Sequence, residues 1–192
     1  MISVASPDAE LWLVRHGQTE WSRDGRHTSV TELPLTDRGI ADGRALASRL
    51  SATSFDLVLS SPRQRALRTA ALAGFDDPVV DEDLAEWAYG DYEGITTPEI
   101  RRSVPNWSIW THGAPGGESA DQISVRLDRV VSRVRAHGGR CLCFGHGHSL
   151  RALTARWIDQ RVDEGRFFAL DTGTVSVLGY EREFPVVARW NS

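Results

Sequence analysis

The stretch Leu11-Trp12-Leu13-Val14-Arg15-His16-Gly17 decides the fold, because a short apolar run ends abruptly in Arg-His-Gly. Four apolar residues bounded by polar ones are typical of a buried strand, and Gly17 then frees the backbone to turn sharply. His16 is therefore expected at the carboxyl end of a strand, where open α/β sheets bind their ligands. An imidazole there can act as a nucleophile, and the guanidinium of Arg15 can hold a phosphate by paired hydrogen bonds. A surface turn with an incidental histidine is the alternative for this motif alone.

The composition excludes several classes of protein. The chain has 192 residues, of which 25% are charged and 41% hydrophobic, and this predicts a single globular domain over residues 1–192. A net charge of −4 argues against nucleic-acid binding, and no stretch approaches a membrane span. We therefore expect no nucleic-acid partner, no membrane and a cytoplasmic location, and a homodimer stays open. All 22 basic residues are arginines, which excludes a Schiff-base or P-loop lysine.

After the Arg-His-Gly turn, residues 20–36 show no sustained period and predict a long loop, which is a candidate lid. Thr36 and Asp37 then begin a helix, since threonine is a good N-cap. Its predicted buried face consists of Ile40, Ala47 and Leu50.

A second strand is predicted over Phe55–Ser60, and Ser61-Pro62 follows it as an N-cap and N1 pair. The helix that opens there is expected to run to about Ala73. Arg63 and Arg65 lie on it 200° apart, because each residue turns an α-helix by 100°, so only one of them can readily face the ligand crevice.

Residues 84–94 combine glycines, aromatics and carboxylates and predict a structured loop, in which one carboxylate set against apolar walls would suit a general acid. Residues 95–118 form a second candidate lid, which contains Trp107 and Trp110. These tryptophans could cover the crevice, although packing into the core is the interpretation that tryptophan's usual burial favours.

The longest helix is expected to begin with the capping box Ser119–Gln122 and to end at Gly138-Gly139. Its apolar stripe consists of Ile123, Leu127, Val130, Val131 and Val134.

Cys141–Phe144 predicts the next strand, with both cysteines as buried reduced thiols on one face. His146, between two glycines, follows this strand as His16 follows the first, and a helix to about Ile158 comes next. Residues 174–180 and 185–190 predict a closing hairpin at one sheet edge.

Four motifs occur in a fixed order along the chain: Arg15-His16-Gly17, Ser-Pro-x-x-Arg-Ala-x-x-Thr-Ala over residues 61–70, Glu86-x-x-Tyr89-Gly90, and Gly145-His146-Gly147. Together they resemble the histidine phosphatase superfamily, also called the phosphoglycerate-mutase-like superfamily. The resemblance spans nearly the whole chain and implies an α/β fold, a three-layer α/β/α sandwich with a mostly parallel sheet.

The resemblance also implies roles. His16 would be the nucleophile that accepts the phosphoryl group, and Glu86 would protonate the leaving alcohol and later activate water. The groups implied to bind the phosphoryl oxygens are Arg15, Arg65 and His146. Further substrate contacts are predicted at Thr28, Ser29, Tyr89 and Gly147. The implied partner is a small-molecule phosphomonoester, and no metal or other cofactor is expected.

Residues 25–36, 89–97 and 145–151 resemble the branch that contains bacterial acid phosphatases and sedoheptulose-1,7-bisphosphatase. We therefore predict a phosphomonoester hydrolase that acts through phosphohistidine on a small phosphorylated sugar or related metabolite. A cofactor-dependent phosphoglycerate mutase is the alternative, although Trp21-Ser22 stands where the mutases usually carry Trp-Asn.

Two further alternatives are a non-catalytic phospholigand-binding protein and a metalloenzyme. The metalloenzyme would use His16, His146, His148 and Glu86, but the adjacent arginine would repel a divalent cation. Otherwise His148 is expected either to contact substrate or to cap its helix, and capping is the favoured alternative. The remaining histidines, His27, His112 and His137, are predicted to be polar surface residues.

Overall fold

The computed structural model describes residues 8–192. One mixed sheet contains six strands: β1 (Glu10–Arg15), β2 (Leu57–Ser60), β3 (Val79–Val80), β4 (Arg140–Gly145), β5 (Val175–Glu181) and β6 (Phe184–Arg189). Their order across the sheet is β3-β2-β4-β1-β5-β6. The strands β1 to β4 pair in parallel, whereas β5 pairs antiparallel with both β1 and β6. The predicted hairpin at one sheet edge is thus confirmed.

Seven α-helices connect the strands in the described part of the chain: α1 (Glu20–Asp24), α2 (Asp37–Leu50), α3 (Gln64–Leu72), α4 (Thr97–Ser103), α5 (Ile109–His112), α6 (Ala120–His137) and α7 (Gly147–Trp157). Short 3-10 helices cover Glu82–Leu84, Gly90–Tyr92 and Val162–Phe167. Within residues 8–192, no helix has the length and apolar character needed to cross a bilayer.

The sheet has a separate hydrophobic core on each face, because successive side chains of a strand point to opposite sides. In β4, Cys141 and Cys143 face the core formed with α6 and α7, whereas Leu142 and Phe144 face the core formed with α2 and α3. Both cysteines are buried and unbridged, as predicted. The three-layer α/β/α sandwich expected from the sequence is therefore present.

The longest helix follows the sequence prediction closely. Ser119 and Gln122 form the expected capping box, and the buried residues of α6 are the five of the predicted apolar stripe. This agreement follows from a regular period of 3.6 residues over eighteen positions, which fixes which face turns toward the sheet.

Three local predictions are wrong in part. Residues 20–36 contain the helix α1, capped reciprocally by Thr19 and Ser22, where only a loop was expected. The buried face of α2 consists of Gly39, Gly43, Leu46 and Leu50, so the predicted face is rotated. The helix α3 begins at Gln64, with Arg63 rather than Ser61 at the N-cap position.

Candidate active site

The parallel register of β1 and β4 builds the site. It pairs Arg15 with Gly145, so the next residues, His16 and His146, emerge side by side at the carboxyl edge of the sheet. Their ring centroids lie 5.2 Å apart, and the backbone N–H of His16 donates to the Gly145 carbonyl at 3.0 Å. The strand β2, on the other side of β4, brings Ser61 to the same edge.

Gly17 permits a close backbone approach and does not adopt a positive φ. A Cβ atom at this position would lie 2.3 Å from the carbonyl oxygen of Gly39 in α2. The Gly17 N–H also donates to Oγ1 of Thr69 in α3, at 3.0 Å. The turn that carries His16 is therefore fixed by two helices.

The tautomer of His16 follows from its one hydrogen bond. Its Nδ1 lies 2.7 Å from the carbonyl oxygen of Gly17, and because a carbonyl only accepts, Nδ1 carries the proton. The other nitrogen, Nε2, has no hydrogen-bond partner among residues 8–192 and holds a lone pair. Burial, together with the charges of Arg65 and Arg15, lowers the pKa of His16 well below its usual value. The ring is therefore neutral at neutral pH.

His146 is completely buried, and both of its ring nitrogens are engaged. Nδ1 accepts from Nε of Arg65 at 3.2 Å, so Nε2 carries the proton and donates to Oγ of Ser61 at 2.7 Å. Burial and the nearby cation Arg65 lower the pKa of His146 well below its usual value. To contact a phosphoryl oxygen, His146 would have to give up one of these two hydrogen bonds. The contact between His146 and the phosphoryl group therefore stays a prediction.

Arg65 is 1% exposed and holds the turn over residues 28–31 as well as His146. Its NH1 group donates to the carbonyl of Thr31 at 3.0 Å, and NH2 donates to those of Thr28 at 3.2 Å and Ser29 at 3.1 Å. Arg63 instead faces the surface acid Glu32, with NH1 3.6 Å from Oε1. Arg63 at the N-cap position and Arg65 inside α3 therefore point in different directions.

Glu93 binds the backbone N–H groups of the same turn, residues 28–31, whose carbonyls bind Arg65. Its carboxylate accepts the N–H and O–H of Ser29 and the N–H of Thr31, at 2.5–3.0 Å. Burial alone would raise the pKa of Glu93, but these hydrogen bonds outweigh burial and lower it. Ser29 was predicted to contact substrate, yet its hydroxyl is committed to Glu93 and it does not line the cavity beside His16.

Glu86 sits against the first turn of α7 although it belongs to a distant loop. Oε1 accepts the N–H groups of Trp87 at 2.8 Å and Ser149 at 2.7 Å, and Oε2 accepts that of His148 at 3.0 Å. No side chain at the N-cap position of α7 satisfies its free N–H groups, so Glu86 caps this helix from outside. His148 therefore does not have the capping role expected from the sequence.

A cavity of about 160 Å³ opens beside His16. The predicted site residues that line it are Arg15, His16, Thr28, Glu86, Tyr89 and Gly147. Arg65 and His146 lie one layer further in and are hydrogen-bonded to each other, and the ring of His146 packs against that of His16. The structure thus gathers the four sequence motifs around one small, polar space.

One wall of the cavity is aromatic and was partly misjudged from the sequence. His27 is 9% exposed and packs on Tyr89 and Trp107, so its assignment to the surface is wrong. Burial lowers the pKa of His27 to about 4. Tyr89 and His148 are joined by a hydrogen bond of 2.5 Å between the hydroxyl and Nδ1. Burial raises the pKa of Tyr89 well above its usual value, so the phenol keeps its proton and donates it here.

The second candidate lid packs inward. Trp107 and Trp110 are 2% and 8% exposed and belong to the core formed with α6 and α7, the alternative favoured for them from the sequence. No residue of the segment 95–118 lines the cavity beside His16. Segment 20–36 does contribute lining residues, in particular Ser22 and Arg26.

Sequence reasoning missed two arginines in the cavity wall, Arg26 and Arg151. Arg151 stands one helical turn after Gly147, and this spacing could have indicated it, because residues four apart share a helix face. Its guanidinium lies 4.8 Å from the ring centroid of Trp110 and donates to the carbonyls of Gly165 and Arg166. No sequence signal marks Arg26.

The metalloenzyme alternative finds no support in the geometry. In the described range 8–192, no three or more histidine, cysteine, aspartate or glutamate side chains are grouped so that they could hold a metal ion. Glu86 is bound to three N–H groups and His146 to Arg65 and Ser61, so these proposed ligands already have other partners.

Comparison with known proteins agrees with this fold and site. The sequence profile of the Histidine phosphatase superfamily (branch 1) matches residues 11–192. The chain therefore belongs to this superfamily. Because the relatives described next are named phosphatases, we conclude that this chain is a phosphatase.

An acid phosphatase of Mycobacterium tuberculosis is 45% identical over 175 residues, which cover 89% of this chain and 86% of that one. A sedoheptulose 1,7-bisphosphatase of Saccharomyces cerevisiae is 39% identical over 180 residues, which cover 76% and 66% of the two chains. The solved structure of an open reading frame product of Mycobacterium tuberculosis superimposes with a TM-score of 0.92 at 41% identity. That match covers 96% of this chain and 97% of the other.

Proposed function

We propose that this chain hydrolyses small phosphomonoesters through a phosphohistidine formed on Nε2 of His16. The observation that carries the proposal is the hydrogen bond from Nδ1 of His16 to the Gly17 carbonyl. It leaves the lone pair on Nε2, and the lowered pKa of His16 keeps that lone pair free of a proton. A neutral imidazole in this state is an activated nucleophile.

Phosphoryl transfer needs positive charge around the oxygens of the transferred group more than it needs covalent help from the protein. Arg15 lines the cavity beside His16, and Arg65 lies directly behind it. Two guanidiniums can therefore stabilise the negative charge that spreads over the phosphoryl oxygens in the transition state. His146 supports this arrangement by accepting from Nε of Arg65.

Glu86 is the proposed proton donor and acceptor. As the N–P bond to His16 forms and the P–O bond to the leaving alcohol breaks, Glu86 gives its proton to the departing oxygen. Water then attacks phosphorus, the N–P bond breaks, and Glu86 takes the proton of the water, so that inorganic phosphate and neutral His16 result. Oε2 of Glu86 accepts a single N–H in the structure and keeps a lone pair that can carry this proton.

Glu86 also has a purely structural explanation, since it caps α7. The two roles differ in how they depend on the substrate. Loss of a cap lowers stability and affects every substrate, whereas loss of a general acid slows only those whose leaving group needs a proton. General acid catalysis typically contributes about 10²- to 10⁴-fold.

The cavity supports a small phosphorylated sugar or related metabolite as the substrate. Its volume of about 160 Å³ suits a phosphate with a short polar body, and the polar residues Thr19, Ser22 and Thr28 are among those that line it. Arg26 and Arg151 add charge in the outer wall. The names of the two relatives, an acid phosphatase and a sedoheptulose 1,7-bisphosphatase, point to the same chemistry.

The test is a metal-free hydrolysis screen in which phosphate release is measured from sugar phosphates, sugar bisphosphates, phosphoglycerates, nucleotides and a phosphoprotein. We expect sugar phosphates or bisphosphates to be the best substrates. The variant Glu86→Gln is then compared on the best sugar phosphate and on 4-nitrophenyl phosphate. A loss confined largely to the sugar phosphate supports the general acid, whereas equal losses leave Glu86 with its capping role alone.

The mutase alternative shares the phosphohistidine and differs in the fate of its phosphoryl group. A mutase returns that group to an alcohol and excludes water. The interconversion of 3-phosphoglycerate and 2-phosphoglycerate is therefore measured beside phosphate release. If interconversion outpaces release from every sugar phosphate tested, the chain is a mutase and the hydrolase proposal fails.

A further inference from the structure

We propose that Arg126 in α6 is a positioning residue for Glu86 and thereby controls how well this enzyme handles substrates with poor leaving groups. The inference rests on the proposed role of Glu86 as general acid. Arg126 does not line the cavity beside His16, and its hydrogen bonds go to Glu118 and to the backbone of the segment that carries Glu86.

Every N–H of the Arg126 guanidinium has an acceptor. Nε and NH2 bind the two carboxylate oxygens of Glu118, at 2.6 and 2.8 Å. NH1 donates to the carbonyls of Asp83 at 2.6 Å and Ala85 at 2.9 Å, and NH2 donates to that of Glu86 at 3.4 Å. The five donors thus bind three carbonyls of one short segment and one carboxylate, and the pair is nearly buried, with side chains 11% and 15% exposed.

Glu118 fastens the same segment through its own backbone. Its N–H donates to the carbonyl of Ala88 at 3.0 Å, and its carbonyl accepts Nε1 of Trp87 at 2.8 Å. The backbone around Glu86 is therefore tied to α6 and Glu118, while its carboxylate is tied to the start of α7. These two attachments together fix where the carboxylate stands relative to the phosphoryl group.

Fixing this position matters because a proton donor must stand within hydrogen-bond reach of the leaving oxygen. A displacement of about 1 Å by a mutation away from the chemistry can cost about 10²-fold in rate. If Arg126 is lost, three carbonyls and a carboxylate lose their common partner, and the segment from Asp83 to Glu86 is free to shift.

Arg129 provides a matched control. It lies on the same helix and contacts the same segment, but only through the Asp83 carboxylate, at 2.5 and 2.8 Å. Its side chain is 58% exposed, and exposed ion pairs contribute little. Replacement of Arg129 therefore removes one positive charge from α6, as replacement of Arg126 does, but it leaves the hydrogen bonds to the carbonyls near Glu86 in place.

The experiment compares Arg126→Met, Arg126→Lys, Arg129→Met and Glu86→Gln with the unaltered chain. The kcat/KM is measured on 4-nitrophenyl phosphate, whose leaving group needs no proton, and on glycerol 2-phosphate, whose leaving group does. The value of kcat/KM depends only on the steps up to the first phosphoryl transfer. Slow hydrolysis of the phosphoenzyme therefore does not mask an effect on that transfer. Thermal unfolding of each variant is recorded in parallel.

For Arg126→Met we expect kcat/KM on glycerol 2-phosphate to fall about 10- to 100-fold and that on 4-nitrophenyl phosphate to fall less than about threefold. Arg126→Lys should change in the same direction by less, because an ammonium can keep Glu118 but cannot reach three carbonyls. Arg129→Met should leave both values within about twofold of the unaltered chain.

Equal losses on both substrates in the Arg126 variants, or no loss on either, would overturn the inference, because a merely structural role does not distinguish leaving groups. If Arg126→Met does not fold, Arg126→Lys decides by the same criterion. If Glu86→Gln discriminates between the substrates and the Arg126 variants do not, the positioning role alone fails. If Glu86→Gln does not discriminate, the general acid itself is wrong and the inference falls with it.

Discussion

Replacing Arg65 with alanine is expected to damage both catalysis and stability, by amounts that follow from its hydrogen bonds. Four of its five N–H groups are used by His146, Thr28, Ser29 and Thr31, so one remains for a phosphoryl oxygen. A hydrogen bond to a charged group contributes about 1.5–3 kcal/mol, and about 1.4 kcal/mol is tenfold in rate. The kcat/KM should therefore fall roughly 10- to 150-fold from this contact alone.

The stability loss comes from the acceptors that Arg65 leaves behind. Three backbone carbonyls lose their partner, and at about 1 kcal/mol each, the low end for a buried unsatisfied group, they destabilise the fold by about 3 kcal/mol. In a domain of this size that corresponds to a fall in Tm of roughly 6–12 °C.

The assay measures kcat/KM on 4-nitrophenyl phosphate and Tm by calorimetry, for Arg65→Ala and for Arg63→Ala as the control. Arg63 pairs only with Glu32 at the surface, so its replacement should cost less than about threefold in kcat/KM and at most about 1 kcal/mol. Equal effects, or a larger effect at Arg63, would refute the assignment of the inward-facing arginine.

Three further results are expected. Chelators should leave kcat/KM unchanged, because the positive charge at the site comes from arginines, and a loss with EDTA that zinc or magnesium restores would favour a metalloenzyme. The Tm should fall as the pH drops from about 7 to 5, because four buried histidines with lowered pKa values take up protons only after the chain unfolds. They are His16, His27, His146 and His148. A Tm that does not change with pH would contradict their burial. Glu93→Gln should lower Tm at neutral pH, where the Glu93 carboxylate is charged in the folded state. The difference in Tm from the unaltered chain should shrink below about pH 4. The pKa of Glu93 is lowered in the folded state, so its contribution to stability is lost as the carboxylate becomes protonated.

Elements with a long regular pattern were predictable from the sequence, and elements decided by tertiary partners were not. The apolar stripe of α6 fixes its buried face, and the capping box and Gly138 fix its start and its end. Ser61 has the right identity for an N-cap, but its hydroxyl binds Nε2 of His146, and α3 begins three residues later. The helix α1 was missed because Ser22 occupies the capping-box position where glutamate or glutamine is usual.

The candidate site divides in the same way. The two histidines were predictable because each follows a short apolar strand, and the parallel register of those strands brings them together. The groups that hold the site in place were not, since Glu93 and Arg126 act on it from separate elements through backbone carbonyls and N–H groups. Contacts of a side chain with main-chain atoms of a distant segment leave no pattern in the sequence.

The most direct test of the central claim is to trap and locate the phosphoenzyme. Labelled substrate is mixed with the enzyme, the reaction is quenched without acid, and the phosphorylated peptide and ring nitrogen are identified by mass spectrometry and ³¹P NMR. Because Nδ1 of His16 is held by the Gly17 carbonyl, we predict an acid-labile phosphoryl group on Nε2 of His16, absent in His16→Ala. A label on Nδ1, on another residue, or full turnover by His16→Ala would contradict the mechanism.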